Sequence, residues 1–183
     1  MPIITQAEAM AVLDPFFDDL NAICRDSHGR FRAYPADVLL ELDRRAEANC
    51  IYSHMRHDAE RRLGGGRADV VQINIRGLFL WVIAQKVTIR LKKMDEDGRA
   101  RTYPTRQAQD YDRQRELPGL PAPPVNLVVG YLLDATETQI ERVQIARPLG
   151  RKMMDWCAAL VPVSEQVVGR ARWIDVTRQA GAL

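Results

Sequence analysis

Residues 71–94 read VQINIRGLFLWVIAQKVTIRLKKM, and this stretch decides the class of fold. Apolar and polar residues alternate in its first and last parts, a period of two that is typical of half-buried β-strands. The middle run, LFLWVIA at 78–84, is apolar throughout and suits a central strand covered on both faces. Short polar pairs, Arg76-Gly77 and Gln85-Lys86, separate the three segments as turns. The stretch therefore predicts three consecutive strands.

Two helices are predicted before these strands. The first runs from an N-cap at Thr5 to about Ile23, and Pro15 bends or divides it because proline removes an interior hydrogen bond. RDSHGR, at 25–30, then predicts a loop. The second helix begins at Pro35, keeps apolar residues at helical spacing, and ends at the glycines 64–66.

The elements after the three strands are predicted from turns, capping residues and alternation. Thr105 caps a short helix through about Glu116, and residues 117–124 form an extended connection. Residues 126–134 and 140–148 form a hairpin of two strands, 150–161 a helix, and RWIDV at 172–176 a short strand or surface segment. The order is ααβββαββα. This order predicts an α+β fold, with a mainly antiparallel sheet of about five strands and the N-terminal helices packed on it.

Composition indicates one globular domain. The chain has 183 residues, 46% of them hydrophobic and 27% charged. We divide the single domain, 1–183, into a helical part (1–63), a sheet-centred part (70–160) and a C-terminal tail (163–183). The longest apolar run has seven residues, whereas a membrane span needs about 20. With three scattered cysteines and no signal peptide at the start, the expectation is a cytoplasmic protein without a membrane partner.

The candidate metal ligands on the second helix are His54, His57 and Asp58. Spacing of three places both imidazoles on one face, and a carboxylate beside them could complete a metal shell. However, the segment lacks the HExxH pattern, and the sequence contains only one other histidine, His28. The expectation is no metal and no cofactor, and the catalytic residues, if any exist, stay unassigned.

The three-strand block flanked by helices resembles the αβββαβ core of the PD-(D/E)xK nucleases. That family requires an acidic residue near the second strand and an acidic residue two positions before a lysine on the third. Lys92 matches the lysine, but Arg90 stands where the second acid must be, and LFLWVIA contains no acid. The resemblance therefore implies at most a non-catalytic relative.

A set of basic residues with a tyrosine among them is the candidate nucleic-acid-binding surface. Strand alternation gathers Arg90 and Lys92 on one face, opposite the apolar Val87, Ile89 and Leu91. Basic side chains hold phosphates and tyrosine stacks on bases, so Tyr111 is also expected at this surface. The alternative is a solvated face balanced by neighbouring acids. The candidate residues are Lys86, Arg90, Lys92, Lys93, Arg99, Arg101, Tyr103 and Arg106.

Four segments together look like a family of uncharacterised bacterial proteins: IRLKKMDEDG, YPTRQAQDY, LPGLPAPPVNLVVGYLLD and IERVQIARP. The resemblance covers about residues 70–150. It implies an association with mobile elements and with toxin–antitoxin or phage-defence gene pairs. The leading hypothesis is thus a component of such a module that binds RNA, DNA, a cognate antitoxin or another protein. The alternatives are a metal-independent nuclease that uses the basic and tyrosine residues, and a structural or regulatory protein-interaction module.

Overall fold

The structure of the chain is a computed structural model that describes residues 4–100, 105–120, 125–150 and 153–178. None of the helices in these ranges is long and apolar enough to span a membrane. The α-helices are α1 (Gln6–Leu13), α2 (Phe17–Arg32), α3 (Ala36–Glu41), α4 (Arg44–Gly64) and α5 (Arg106–Asp112). Single turns of 3-10 helix cover Asp14–Phe16 and Val163–Glu165.

The strands form one mixed sheet in sequential order. They are β1 (Val70–Ile75), β2 (Leu78–Ile83), β3 (Val87–Lys93), β4 (Val125–Leu133), β5 (Ile140–Pro148), β6 (Met154–Leu160) and β7 (Trp173–Asp175). Within the described residues, neighbouring strands run antiparallel except β3 and β4, which are parallel. A parallel pair requires a crossover connection, and the segment containing α5 is that crossover. The α+β class and the mainly antiparallel sheet are confirmed.

The N-terminal helices differ from the prediction at two places. Pro15 divides the first helix through the 3-10 turn, as expected, but α2 continues through 25–30, where a loop was predicted. The reason is tertiary: Ser27 and His28 are buried, and the Ser27 hydroxyl donates to Asp58 of α4 at 3.2 Å. The second predicted helix is interrupted at Leu42, which is extended, and Asp43 caps α4.

The strand count and the last predicted helix were also wrong. The sheet has seven strands among the described residues instead of about five. The segment 150–161, predicted as helix, contains strand β6. Both faces of β6 are covered, with Trp156 and Ala158 in one cluster of buried residues and Cys157 in the other, so its sequence shows no clean alternation. Of the two alternatives expected for residues 172–176, a short strand or a surface segment, the structure has the strand, β7.

Two layers cover the sheet. Helices α1, α2 and α4 pack on the helix-covered face, where Ile51 and Met55 belong to one apolar core with Ile89 and Leu127. The opposite face, here called the crossover face, is covered by the segment between β3 and β4, and its cluster includes Tyr111 of α5. The two parallel strands are therefore enclosed between α4 and α5.

Candidate functional site

The parallel strands bring their C-terminal ends to the same edge of the sheet. Strand β2 pairs with residues 87–89 of β3, whereas β4 pairs with β3 along its whole length, as far as Lys93. The last residues of β3, 90–93, are consequently not paired with β2. The N-terminal half of α4 lies near this end of the strand. Gly130 permits the close approach of β4, because a Cβ at this position would lie 1.7 Å from the carbonyl oxygen of Lys92.

A cleft of about 770 Å³ opens at this edge; we call it the Lys92 cleft. Helix α4 contributes Tyr52 and the strand ends contribute Lys92 and Leu133. Four basic and four acidic residues line the cleft. They are Arg44, Arg45, Lys92 and Lys93, with Asp95, Glu96, Asp134 and Glu137.

The carboxylates of the cleft are already engaged in local contacts. Asp134 accepts hydrogen bonds from Thr136, Thr138 and Gln139, which lower the pKa of its carboxyl group. The Asp95 carboxylate accepts from two backbone amides of its own turn. The remaining two acids form ion pairs: Glu96 with Arg178 at 2.6 Å, and Glu137 with Arg44 at 3.2 Å and Lys93 at 3.7 Å. In contrast, Arg45 and Lys92 have no ion-pair partner within 4 Å among the described residues.

Lys92 is the most perturbed of these cations. Its ammonium nitrogen lies 5.1 Å from the centre of the Tyr52 ring. Burial, and to a lesser extent the nearby Arg90 charge, lower the pKa of Lys92 to about 8, although Asp112 acts in the opposite direction. Since desolvation disfavours the ammonium ion, Lys92 would gain from an anion that enters the cleft.

Arg90 lies behind Lys92 and forms part of the crossover face. It is 4% exposed, its guanidinium lies 3.7 Å from the Asp112 carboxylate, and it is 5.9 Å from the centre of the Tyr111 ring. Burial raises the pKa of Asp112, although the charges of Arg90 and Lys92 oppose that shift. The buried Arg90 guanidinium therefore affects the cleft electrostatically, by lowering the pKa of Lys92.

The structure separates the residues of the predicted basic surface. Lys92 and Lys93 lie together in the cleft, as strand ends. The expected exposure of Arg90 and Tyr111 was wrong: both are buried, and the single Tyr111 O–H lies within hydrogen-bond distance of the backbone carbonyl oxygens of Leu127 (2.7 Å) and Thr88 (2.9 Å). The crossover segment covers this side of β3, which strand alternation alone could not reveal.

The other predicted residues lie outside the cleft or outside the described ranges. Lys86 is exposed in the turn between β2 and β3. Arg99 pairs with Asp97 at 3.1 Å, and Arg106, whose side chain is 96% exposed, lies 3.9 Å from Asp110 on α5. Arg101 and Tyr103 lie outside the described residues.

The histidine cluster on α4 does not converge. His54 shares a hydrogen bond of 2.9 Å with the Tyr34 hydroxyl, and His57 is exposed. Asp58 is buried and binds Arg30, Arg61 and Ser27. Within the described residues, no group of three histidine, cysteine, aspartate or glutamate side chains is arranged to hold a metal ion. The absence of a metal in function stays a prediction.

Sequence reasoning missed the contribution of α4 to the site. Neither Tyr52 nor Arg44 is among the residues predicted for the site. The available signal was the pair Arg44-Arg45 directly after the Asp43 cap, two helical turns before a tyrosine. Nothing in the sequence places that pair beside the end of β3.

Comparison of the chain with known protein families, with curated proteins and with solved structures finds no match. The resemblances inferred from the motifs therefore stay predictions. The residues of the cleft are the features of the described structure from which a function can be inferred.

Proposed function

We propose that the protein binds single-stranded nucleic acid and that the Lys92 cleft holds its phosphates. One observation carries the proposal: Arg45 and Lys92 line a cleft whose acids are each held by other residues, and neither cation has an ion-pair partner among the described residues. Arginine and lysine are the side chains that bind phosphate oxygens.

The environment of Lys92 favours an anionic ligand over water. Burial and Arg90 both oppose the charge on Lys92, so a phosphate placed between Lys92 and Arg45 would stabilise the ammonium form. The Tyr52 ring lies beside Lys92 in the cleft and offers a surface on which a base can stack.

The size of the cleft favours a single strand. A volume of about 770 Å³ is within the usual range of ligand sites, about 300–1,000 Å³. A strand whose bases are unpaired can place one base and its phosphates in such a cleft, whereas a duplex keeps its bases stacked inside the helix.

The biological setting inferred from the sequence remains part of the proposal. A nucleic-acid-binding component of a bacterial toxin–antitoxin or phage-defence module agrees with the chemistry of the cleft. The alternative is a metal-independent nuclease, which the same assay also tests. In that alternative the tyrosine beside Lys92 is Tyr52 and not the buried Tyr111.

The test is the affinity of the protein for a fluorescent single-stranded oligonucleotide, measured by anisotropy over a range of salt concentrations. Arg45→Gln and Lys92→Gln should each weaken binding by about tenfold or more and reduce the salt slope by about 0.7, the value for one phosphate contact on a single strand. Gel analysis of the recovered oligonucleotide distinguishes a binder from a nuclease.

The matched controls are Lys86→Gln and Arg106→Gln, which remove charges from exposed positions outside the cleft. These variants should bind as the wild type does, and all four should retain the circular dichroism spectrum of the folded protein. Equal losses from control and cleft variants would show a diffuse basic surface and would disprove the cleft as the binding site. Absence of binding at low salt would disprove the function itself.

A further inference from the structure

We propose that Lys92 is a nucleophilic amine that forms an imine with an aldehyde on a phosphate-bearing ligand. The capture of the phosphate rests on the proposed function; the covalent step goes beyond it. The geometry that supports the proposal is a lysine at the end of a strand, inside a cleft, beside an aromatic ring and without an ion-pair partner among the described residues.

Lys92 differs from the other lysines that the structure describes. The sequence contains four: Lys86, Lys92, Lys93 and Lys152. Lys86 is exposed in a turn, Lys93 forms an ion pair with Glu137 at 3.7 Å, and Lys152 lies outside the described residues. An ion pair or full hydration holds a lysine in its protonated form, which has no lone pair with which to attack a carbonyl group.

Partial desolvation shifts Lys92 towards the neutral amine. Burial against α4 and the adjacent Arg90 lower the pKa of Lys92 to about 8. Arg45, the other lining cation without an ion-pair partner among the described residues, would attract the phosphate of the ligand without competing for the aldehyde, because a guanidinium group stays protonated.

The covalent step is balanced without a redox partner. The lone pair of the neutral Nζ forms a bond to the carbonyl carbon, and proton transfers through solvent convert the adduct to a carbinolamine. Cleavage of the C–O bond then releases the former carbonyl oxygen as water and leaves the imine. One amine and one aldehyde thus give one imine and one water, and hydrolysis reverses the reaction.

The experiment uses pyridoxal 5′-phosphate as the probe, borohydride to reduce the imine to a stable amine, and peptide mass spectrometry to locate the label. At pH 7.5 the wild type should be labelled on Lys92 at least about tenfold more than on Lys86, which is exposed in a turn, or on Lys93, which is paired with Glu137. Pyridoxal, which lacks the phosphate, should label Lys92 several-fold less at the same concentration.

Two variants separate reactivity from folding. Lys92→Arg keeps the positive charge but cannot form an imine, so the specific label should disappear while thermal melting remains near that of the wild type. Lys86→Arg, at an exposed position outside the cleft, should leave the labelling of Lys92 unchanged. Equal labelling of Lys86, Lys92 and Lys93 would overturn the proposal, as would labelling that is independent of the phosphate.

A second arm identifies the source of the aldehyde. A single-stranded oligonucleotide with one abasic site presents a sugar aldehyde between phosphates, and borohydride should trap it on Lys92 if the ligand is nucleic acid. Trapping of pyridoxal phosphate alone would assign the site to small phosphorylated aldehydes. Wild-type protein that binds an intact oligonucleotide but traps neither probe overturns the covalent step alone, whereas failure of that binding disproves the proposed function separately.

Discussion

The two faces of the sheet use different kinds of packing. On the helix-covered face, residues such as Ile89, Leu127 and Val129 form a continuous apolar core with helices α1, α2 and α4. The crossover face has a smaller apolar cluster, and several polar residues of its strands are buried. These polar residues are Thr88, Arg90, Asn126 and Gln144.

Directed hydrogen bonds hold the crossover segment in place. The Gln114 side chain donates to the carbonyls of Asn126 and Pro148, both at 2.8 Å, and accepts from the Asn126 amide at 2.8 Å. Asn126 in turn donates to the Tyr111 carbonyl at 3.2 Å. Apolar burial is non-directional, whereas each of these bonds requires a particular partner. One face therefore stabilises the fold through apolar burial, while the other fixes the position of charged groups beside the cleft.

The largest effect is expected on the helix-covered face. Ile89→Asp places a carboxylate in an apolar core without a compensating partner, so it should cost more than about 4 kcal/mol and leave the domain largely unfolded. Denaturant unfolding followed by circular dichroism measures the loss, with Ile89→Val, expected to cost about 1 kcal/mol, as the control. A folded Ile89→Asp variant of near wild-type stability would show that this face is not the main core.

The helix-covered face is also the part of the fold that the sequence predicts best. Val87, Ile89 and Leu91 alternate with polar residues, and the structure buries all three, as expected. Where elements are covered on both sides the periodicity disappears, which is why β6 was taken for a helix. The continuation of α2 through RDSHGR escaped prediction because the buried contact of Ser27 with Asp58 involves residues 31 positions apart.

The candidate site was predicted in part. Lys92 and Lys93 follow from their position at the end of a strand, before the turn at 95–98. The burial of Arg90 could not be predicted, because alternation identifies opposite faces but does not show that α5 covers the second one. The participation of Tyr52 and Arg45 depends on the packing of α4 near the end of β3, a contact between segments about 40 residues apart that no local pattern encodes.

A smaller loss of stability is expected on the crossover face. Asp112→Ala removes the carboxylate 3.7 Å from the buried Arg90 guanidinium, and loss of this compensation should cost about 2–3 kcal/mol. Asp110→Ala is the matched control on the same helix, because Asp110 pairs with the more exposed Arg106 and Arg115 and its removal should cost less than about 1 kcal/mol. Chemical denaturation of both variants provides the comparison. Equal losses would mean that the buried charge pair contributes no more than surface pairs, and the distinction between the faces would weaken.

The smallest effect concerns the pH dependence of stability at the cleft. The pKa of Lys92 is lowered from its ordinary value of 10.5 to about 8 in the folded protein, mainly by burial. Between these values the unfolded chain binds more protons than the folded one, so the free energy of unfolding contributed by Lys92 rises as the pH rises through this window. The rise should be on the order of 2 kcal/mol or less, since Lys92 keeps some contact with solvent. Urea unfolding at pH 7.5, 9 and 10.5 should therefore show Lys92→Met losing this increment relative to the wild type, whereas Lys86→Met, at an exposed position, should retain it. Parallel pH profiles for the wild type and Lys92→Met would mean that the cleft leaves Lys92 fully hydrated, and with it the physical reason for expecting an anion or an aldehyde at this lysine would be lost.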